Sequence, residues 1–172
     1  MNPLYIFLLF LSIQRIIELV IAGRHERILM KLGAVEVDPT GYRVIVAMHA
    51  AFFVSLVLES LAMKRSPSQY WILLSVIFAA AQLLRYWAIS SLGVYWNTKI
   101  ILAPNHPPIT RGPYKYIRHP NYAAVIAEIA IIPLIFSCYI TAALFTFINA
   151  LLLRRRIRIE TIALGMAHKE NG

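Results

Sequence analysis

RGPYKYIRHPNY, residues Arg111 to Tyr122, is followed at once by the apolar run AAVIAEIAIIPLIFS, which ends at Ser137. The first stretch holds three basic side chains, three tyrosines, a histidine and two prolines directly beside a hydrophobic helix. A second charged block, RRRIRIE from Arg154 to Glu160, closes the next apolar segment. A hairpin of two hydrophobic helices returns that block to the first one, so the sequence predicts a single site built from both.

The composition is that of an integral membrane protein. Hydrophobic residues make up 59% and charged residues 15% of the 172 residues, and the mean hydropathy is +0.65. Soluble domains are about half apolar and a quarter charged. The basic residues that produce the net charge of +9 lie between apolar runs and not on one soluble face. This distribution favours membrane topology over nucleic-acid binding. The single cysteine, Cys138, excludes an intramolecular disulfide and a multi-cysteine metal site.

Five apolar segments indicate an all-α protein of about five transmembrane helices. They cover residues 3–22, 44–62, 70–90, 122–137 and 139–153. The last two are short and nearly contiguous, so we expect a tight C-terminal hairpin, with Pro133 kinking its first helix or marking the end of it. MNPLYIFLLF lacks a basic leader region, which indicates a retained helix. We expect one domain over residues 1–172, in which residues 1–92 are the N-terminal helices.

Basic residues predict the orientation, because short cytoplasmic loops retain positive charge. With the N-terminus outside, most of the 17 lysines and arginines face the cytosol, and Lys64 and Arg65 face the other side. Both charged blocks are then cytosolic. Residues 93–120 contain five prolines, which predicts an ordered interfacial loop and not a continuous helix.

The start of the fourth apolar segment has the features of an anion site. Pro120 suits the first turn of a helix, whose free N–H groups attract a carboxylate or phosphate, and Arg118 and His119 precede it. The basic residues Arg111 and Lys115 equally fit anchors to lipid headgroups. Tyr116 fits the aromatic belt of the interface, whereas Tyr114 and Tyr122 bracket the histidine and suit a sulfonium or adenine ligand.

Arg156 and Glu160 are four residues apart, so they share one face of a helix and can both point at a ligand above the fourth segment. The alternative is a surface ion pair of little energetic value. We interpret Arg154, Arg155 and Arg158 as the positive stop after a span.

Several polar residues interrupt the spans and must avoid lipid. We expect Arg15 and Glu18 to neutralise each other, Glu59 and Arg85 to lie near interfaces and snorkel, and Glu128 to line a cavity. His49 fits helix packing better than a ligand role. No histidine, cysteine or carboxylate spacing resembles a metal site, and no GxGxxG or GxxxxGK motif supports a soluble nucleotide-binding domain.

The motifs GPYKYIRHPNY and RIRIETIAL, in this order with an apolar hairpin between them, resemble the isoprenylcysteine carboxyl methyltransferase family. Its hallmark is G-x-Y-x-x-x-R-H-P-x-Y followed by R-x-x-x-E-E-x-x-L, and the match covers roughly residues 93–165. The resemblance implies a multi-pass membrane methyltransferase that binds S-adenosylmethionine through its C-terminal half, releases S-adenosylhomocysteine and takes a lipophilic acceptor from the bilayer. The chain is most similar to the compact bacterial branch, some of whose members resemble alkylpyrone O-methyltransferases.

Site residues follow from the resemblance position by position. It implies that the cofactor contacts are Lys99, His106, Pro107, Pro108, Ile109, Tyr114, His119, Pro120, Asn121, Tyr122 and Glu160. It implies a catalytic group of Arg118, His119 and Arg156, and it assigns Arg156 to the acceptor, for which Glu128 is a further candidate. Thr161 stands where the family has a second glutamate, and Ala123 and Ala124 replace a frequent glycine, so helix packing and acceptor shape are expected to differ.

Three functions remain open at this point. Methylation of an oxygen, the carboxylate of a prenylcysteine or the hydroxyl of an alkylpyrone or phenolic lipid, is favoured because Arg156 attracts an anion and repels an amine. Phospholipid or amine N-methylation is the enzymatic alternative. A small membrane transporter or scaffold that binds anionic lipid is the non-enzymatic one. The expected location is a bacterial plasma membrane, with the active site cytosolic and no nucleic acid among the partners.

Overall fold

The computed structural model of the chain describes residues 3–104 and 109–170, with the side chains of residues 166–170 outside the description. Five helices make up most of it. They are α1 (Pro3–Lys31), α2 (Pro39–Ala62), α3 (Trp71–Leu92), α4 (Pro120–Ile135) and α5 (Tyr139–Glu170). Two short strands, β1 (Val35–Val37) and β2 (Ile100–Leu102), pair antiparallel, with Glu36 opposite Ile101.

The helices confirm a largely helical membrane protein. Within the described residues, α1, α2 and the stretch Trp71–Tyr95 are long and apolar enough to cross a bilayer, and α4 is a shorter apolar helix. Only 22–28% of the residues in these three span windows are buried inside the protein. The remaining apolar side chains face outward, which is the arrangement that a lipid environment stabilises.

The structure adds two details to the predicted elements. The chain is not entirely α-helical, because residues 35–37 and 100–102 form a small sheet. Three residues per strand are too few to show the alternation of apolar and polar residues by which a strand is recognised. In addition, α5 continues beyond its apolar part, which ends at residue 153, to residue 170, in agreement with the predicted placement of Arg156 and Glu160 on one helix. The extension contains good helix formers and no proline, so nothing stops the helix where the apolar run ends.

The predicted C-terminal hairpin is present. The turn at residues 136–138 joins α4 to α5, and Ser137 adopts a left-handed φ of 56° there. Pro133 lies two residues before the end of α4, as expected of a residue that cannot donate to the helical ladder. The N–H of Cys138 bonds the Pro133 carbonyl at 2.8 Å.

The turn between α4 and α5 packs against the connection between α2 and α3. The N–H of Ser68 bonds the Ile135 carbonyl at 2.8 Å, and the Arg65 guanidinium lies 5.3 Å from the centre of the Tyr139 ring. Glu59 accepts hydrogen bonds from the first N–H groups of α5, those of Ile140 at 3.2 Å and Thr141 at 2.7 Å. Glu59 is therefore a buried helix cap. The N-terminus of α4 and the charged part of α5 lie together at the other end.

A network of charged side chains connects α1, α3 and α4 inside the bundle. Glu18 pairs with Arg15 at 2.7 Å, as expected, and with Arg85 at 2.6 Å. Glu128 pairs with Arg15 and, at 3.4 Å, with Arg85. Arg85 is 5% exposed, so the expectation that it snorkels to an interface is wrong. Its charge is satisfied within the protein, which removes the reason to reach water.

Candidate functional site

The loop before α4 is fixed on the end of α3. Gly112 has a φ of 61°, and a Cβ atom there would come within 2.0 Å of the Ser91 hydroxyl, so only glycine fits. The Arg111 side chain donates to the Ser91 carbonyl at 2.8 Å. This contact gives Arg111 a structural partner within the protein. Because the loop is held at both points, the residues that follow it enter α4 with a defined direction.

The first turn of α4 has no side-chain cap. His119 occupies the N-cap position without accepting a capping hydrogen bond, and Pro120 has no N–H. The N–H groups of Tyr122 and Ala123 both bond the His119 carbonyl at 3.1 Å. Among the described residues, no backbone acceptor bonds the N–H of Asn121. The positive end of α4 is thus open to an anionic group, as the sequence predicts.

Tyr122 connects the two charged blocks. Its hydroxyl donates to a Glu160 carboxylate oxygen at 2.5 Å and accepts from Arg156 Nε at 2.9 Å. The His119 ring stacks on the Tyr122 ring, with a centroid distance of 5.3 Å and an interplanar angle of 16°. The hairpin therefore brings His119, Tyr122, Arg156 and Glu160 to one place although 41 positions separate the first from the last.

Arg156 is 7% exposed and has a second hydrogen-bond partner besides Tyr122. Its Nη2 donates to the Thr98 carbonyl at 2.7 Å, and its guanidinium lies 5.6 Å from the centre of the Tyr122 ring. Its Nη1 bonds no atom of the described residues. The guanidinium thus keeps one donor group for a ligand while the other two fix its plane.

Two further predicted residues lie at the same site. The Oδ1 atom of Asn121 is buried and has no hydrogen-bond partner among the described residues, which leaves an acceptor for a ligand N–H. Tyr114 is half-buried, and the pKa of its phenol is raised above the ordinary value by burial and then by the negative charge of Glu160. Tyr114 therefore stays neutral and can act as a hydrogen-bond donor.

The other predicted residues that the structure describes make no hydrogen bond to His119, Tyr122, Arg156 or Glu160. Lys99 donates to the carboxylates of Glu26 at 2.7 Å and Glu36 at 3.1 Å. Glu128 sits in the intramembrane network, about 9 Å below Tyr122 along α4. Arg118 is exposed and makes no ion pair with the described residues, and Ile109 is partly buried. His106, Pro107 and Pro108 lie outside the described residues.

Two contacts at this end of the molecule could not be read from the sequence. One is the Thr98 carbonyl, a main-chain atom that no side-chain motif reveals. The other is the pair of Asp38 with Arg155, which joins residues 117 positions apart at 2.6 and 3.0 Å. Arg155 is thus more than a positive stop after a span. The Asp38–Pro39 dipeptide does signal a helix start, but it does not identify the arginine that Asp38 binds.

Comparison with known proteins identifies the group to which these features belong. The chain is 43% identical over 160 residues to the uncharacterized protein YpbQ of Bacillus subtilis, covering 93% of this chain and 95% of that one. It is 30% identical over 155 residues to an uncharacterized protein of Haemophilus influenzae, covering 88% of each. No solved structure matches. The model of the isoprenylcysteine carboxyl methyltransferase (ICMT) family matches residues 71–166, from α3 past Glu160, and the chain belongs to this family of membrane methyltransferases.

Proposed function

We propose that the protein is an S-adenosylmethionine-dependent O-methyltransferase whose acceptor is a lipophilic molecule of the bilayer. The family supports membrane methyl transfer in general. The observation that carries the finer proposal is the set of contacts around Tyr122, which joins an aromatic stack, a carboxylate and a guanidinium beside an uncapped helix start.

The residues at the site fit the cofactor by chemical type. The cofactor, when bound, supplies an electrophilic methyl group on a sulfonium centre. The Glu160 carboxylate and the stacked rings of His119 and Tyr122 provide negative charge and aromatic faces for a cation. The unpartnered Oδ1 of Asn121 can accept from an adenine amine, and the open start of α4 can bind a carboxylate.

Arg156 orients the acceptor. Two of its nitrogen atoms are fixed by Tyr122 and Thr98, so the remaining Nη1 presents its N–H groups in a set direction. A guanidinium recognises an anionic oxygen through such planar donors. A carboxylate or an acidic enol is already ionised near neutral pH and needs no strong general base. An amine would be repelled by Arg156 and would have to lose a proton, which favours oxygen as the acceptor atom.

Positioning is the main catalytic task of these residues. Aligning two reactants in a fixed geometry can remove roughly 7–11 kcal/mol of the barrier. The surrounding helices keep an alkyl or prenyl tail in the bilayer while its polar head meets Arg156. With a catalytic site built from membrane helices, the acceptor therefore does not have to leave the lipid phase.

The proposal is tested by offering the purified protein labelled S-adenosylmethionine with a prenylcysteine, an alkylpyrone or phosphatidylethanolamine. We expect label in an ester or an enol ether and none in the amine, as read by mass analysis of the product. Label in the amine would instead favour N-methylation. Absence of saturable S-adenosylmethionine binding would favour the transporter or scaffold alternative.

Substitutions locate the activity. Arg156→Ala, Glu160→Ala and His119→Ala are each expected to abolish transfer in a folded membrane protein, because each removes a group at the Tyr122 contacts. Arg158→Ala, which removes an exposed charge from the same helix, is the control and should leave transfer unchanged. Full activity in all three site variants would reject this site.

A further inference from the structure

The loop that supplies the Thr98 carbonyl to Arg156 is fastened to the N-terminal part of the chain. The Asn97 side chain donates to the Ala22 carbonyl at 3.1 Å and accepts from the Lys99 N–H at 3.0 Å. Lys99 then bridges Glu26 of α1 and Glu36 of β1. Thr98 lies between two residues that are each bonded to α1, so its carbonyl has a fixed position.

Several neighbouring side chains hold Lys99 in position. Its ammonium group bonds two carboxylates and lies 5.7 Å from the centre of the Tyr42 ring. The hydrogen bond that Lys99 donates to Glu26, and then the one it donates to Glu36, raise the pKa of Lys99 above its ordinary value. Pairing of β1 with β2 joins the same two segments through the main chain. These contacts hold Lys99 within the protein, and its assignment to the cofactor stays a prediction.

Arg156 is also held through its neighbour Arg155. Asp38 accepts from Nη1 and Nη2 of Arg155, a bidentate pair that gives direction as well as charge. The backbone of Asp38 is left-handed, with a φ of 58°, and its Oδ1 also caps α2 through the Gly41 N–H at 3.1 Å. A Cβ atom on residue 41 would lie 1.9 Å from Asp38 Oδ2 and 2.3 Å from Arg155 Nη1. Gly41 thus leaves the room that this pair needs.

We propose that Glu36 and Asp38, acting through Lys99 and Arg155, are positioning residues for Arg156. This inference rests on the proposed function, because it gives Arg156 the acceptor. Both carboxylates precede residue 71, where the family match begins, so they lie in the part of the chain that carries no family motif. The N-terminal segment thereby helps to set the plane of the guanidinium that orients the acceptor.

The test compares two neighbouring arginines and one capping residue. Asp38→Asn keeps the helix cap and tolerates a left-handed backbone but removes the charge. Arg155→Gln removes the partner, and Arg154→Gln, at the adjacent exposed position, is the matched control. We expect the first two to lower kcat/KM for the acceptor about three- to fivefold, and Arg154→Gln to leave it unchanged. Affinity for S-adenosylhomocysteine should change less than twofold in all three.

Coupling separates positioning from general destabilisation. The double variant Asp38→Asn with Arg155→Gln should be no worse than either single variant, since both remove the same contact. Lys99→Met and Glu36→Gln should show the same selective loss. Equal kcat/KM values in Asp38→Asn and Arg154→Gln, or additive losses in the double variant, would overturn the inference.

Amide hydrogen exchange of residues 152–160 gives a readout that needs no activity. It should be faster in Asp38→Asn than in the wild type and unchanged in Arg154→Gln. A wild type that neither binds S-adenosylhomocysteine nor transfers a methyl group would count against the proposed function. In that case the exchange rates by themselves show whether Asp38 holds this part of α5. Equal rates in Asp38→Asn and in the wild type would show that it does not.

Discussion

The Tyr122 hydroxyl links the two charged side chains of the candidate site. It donates to Glu160 and accepts from Arg156, so it satisfies a carboxylate and a guanidinium at once. Without it, two charged groups would face each other with no shared partner. The hydroxyl therefore fixes the relative position of the groups proposed for the cofactor and the acceptor.

Tyr122→Phe removes this hydroxyl and keeps the ring that stacks on His119. We expect a loss of stability of about 1–3 kcal/mol, the usual cost of leaving a buried partner unsatisfied. We also expect weaker binding of both ligands, because Glu160 and Arg156 each lose a fixed contact. Thermal unfolding and equilibrium binding measure the two effects.

Tyr116→Phe is the matched control, because Tyr116 is 74% exposed. It should change neither stability nor binding. Equal effects of the two substitutions would show that the hydroxyl of Tyr122 has no special role.

At the level of single residues, the motifs predicted which side chains meet but not how they are held. His119, Tyr122, Arg156 and Glu160 were all candidates, and the hairpin brings them together. The resemblance assigned Lys99 to the cofactor, which stays a prediction, and it did not indicate that the ammonium group bonds Glu26 and Glu36. Contacts between residues so far apart in the chain follow from the packing of helices, and a single sequence does not contain that information.

At the level of elements, four charged side chains join α1, α3 and α4. Arg15, Arg85, Glu18 and Glu128 balance in charge, and Gln82 donates to Glu128 at 2.8 Å. Removing one member of a buried pair leaves an uncompensated charge, which commonly costs 3–5 kcal/mol, whereas removing both partners together costs much less. The network therefore specifies how these helices are arranged.

We predict that Glu128→Leu lowers the free energy of unfolding by about 3–5 kcal/mol. The double variant Arg15→Leu with Glu128→Leu should recover much of the loss, because Arg85 and Glu18 remain as a neutral pair. Thermal unfolding in one detergent compares the three proteins. If the double variant is less stable than Glu128→Leu, charge balance is not what the network provides.

The same pair of variants tests the expectation that Glu128 binds the acceptor. A stable double variant with an unchanged KM for the acceptor would exclude that role.

Long apolar runs predicted the helices well, since burial of backbone polar groups in lipid leaves few other structures. The strands were missed because three residues are too few for a pattern, whereas the placement of Arg156 and Glu160 on one helix correctly predicted that α5 continues beyond its apolar part.

On the scale of the whole molecule, the polar contacts outside the charged network of the bundle are divided between two ends. One end holds the connection between α2 and α3 and the turn at residues 136–138. The other holds β1, β2 and the Tyr122 contacts. The distribution of lysine and arginine predicts that the second end faces the cytosol.

Single cysteines test this orientation. Ser66→Cys lies in the exposed connection after α2, and Thr110→Cys lies in the exposed loop before α4. In intact cells a membrane-impermeant maleimide should label the first and not the second, and opening the membrane should expose both. The native Cys138 is buried and gives little background. The reverse labelling pattern would invert the proposed topology.

The charged network also bears on the order in which the protein is made. While the ribosome synthesises the chain, α1 and α3 bring Arg15, Glu18 and Arg85 of this network into the bilayer first, which leaves the network with an excess of one positive charge. That excess disappears when α4 delivers Glu128. A segment of 16 residues is short for spontaneous insertion, so we expect the uncompensated positive charge to favour the insertion of α4.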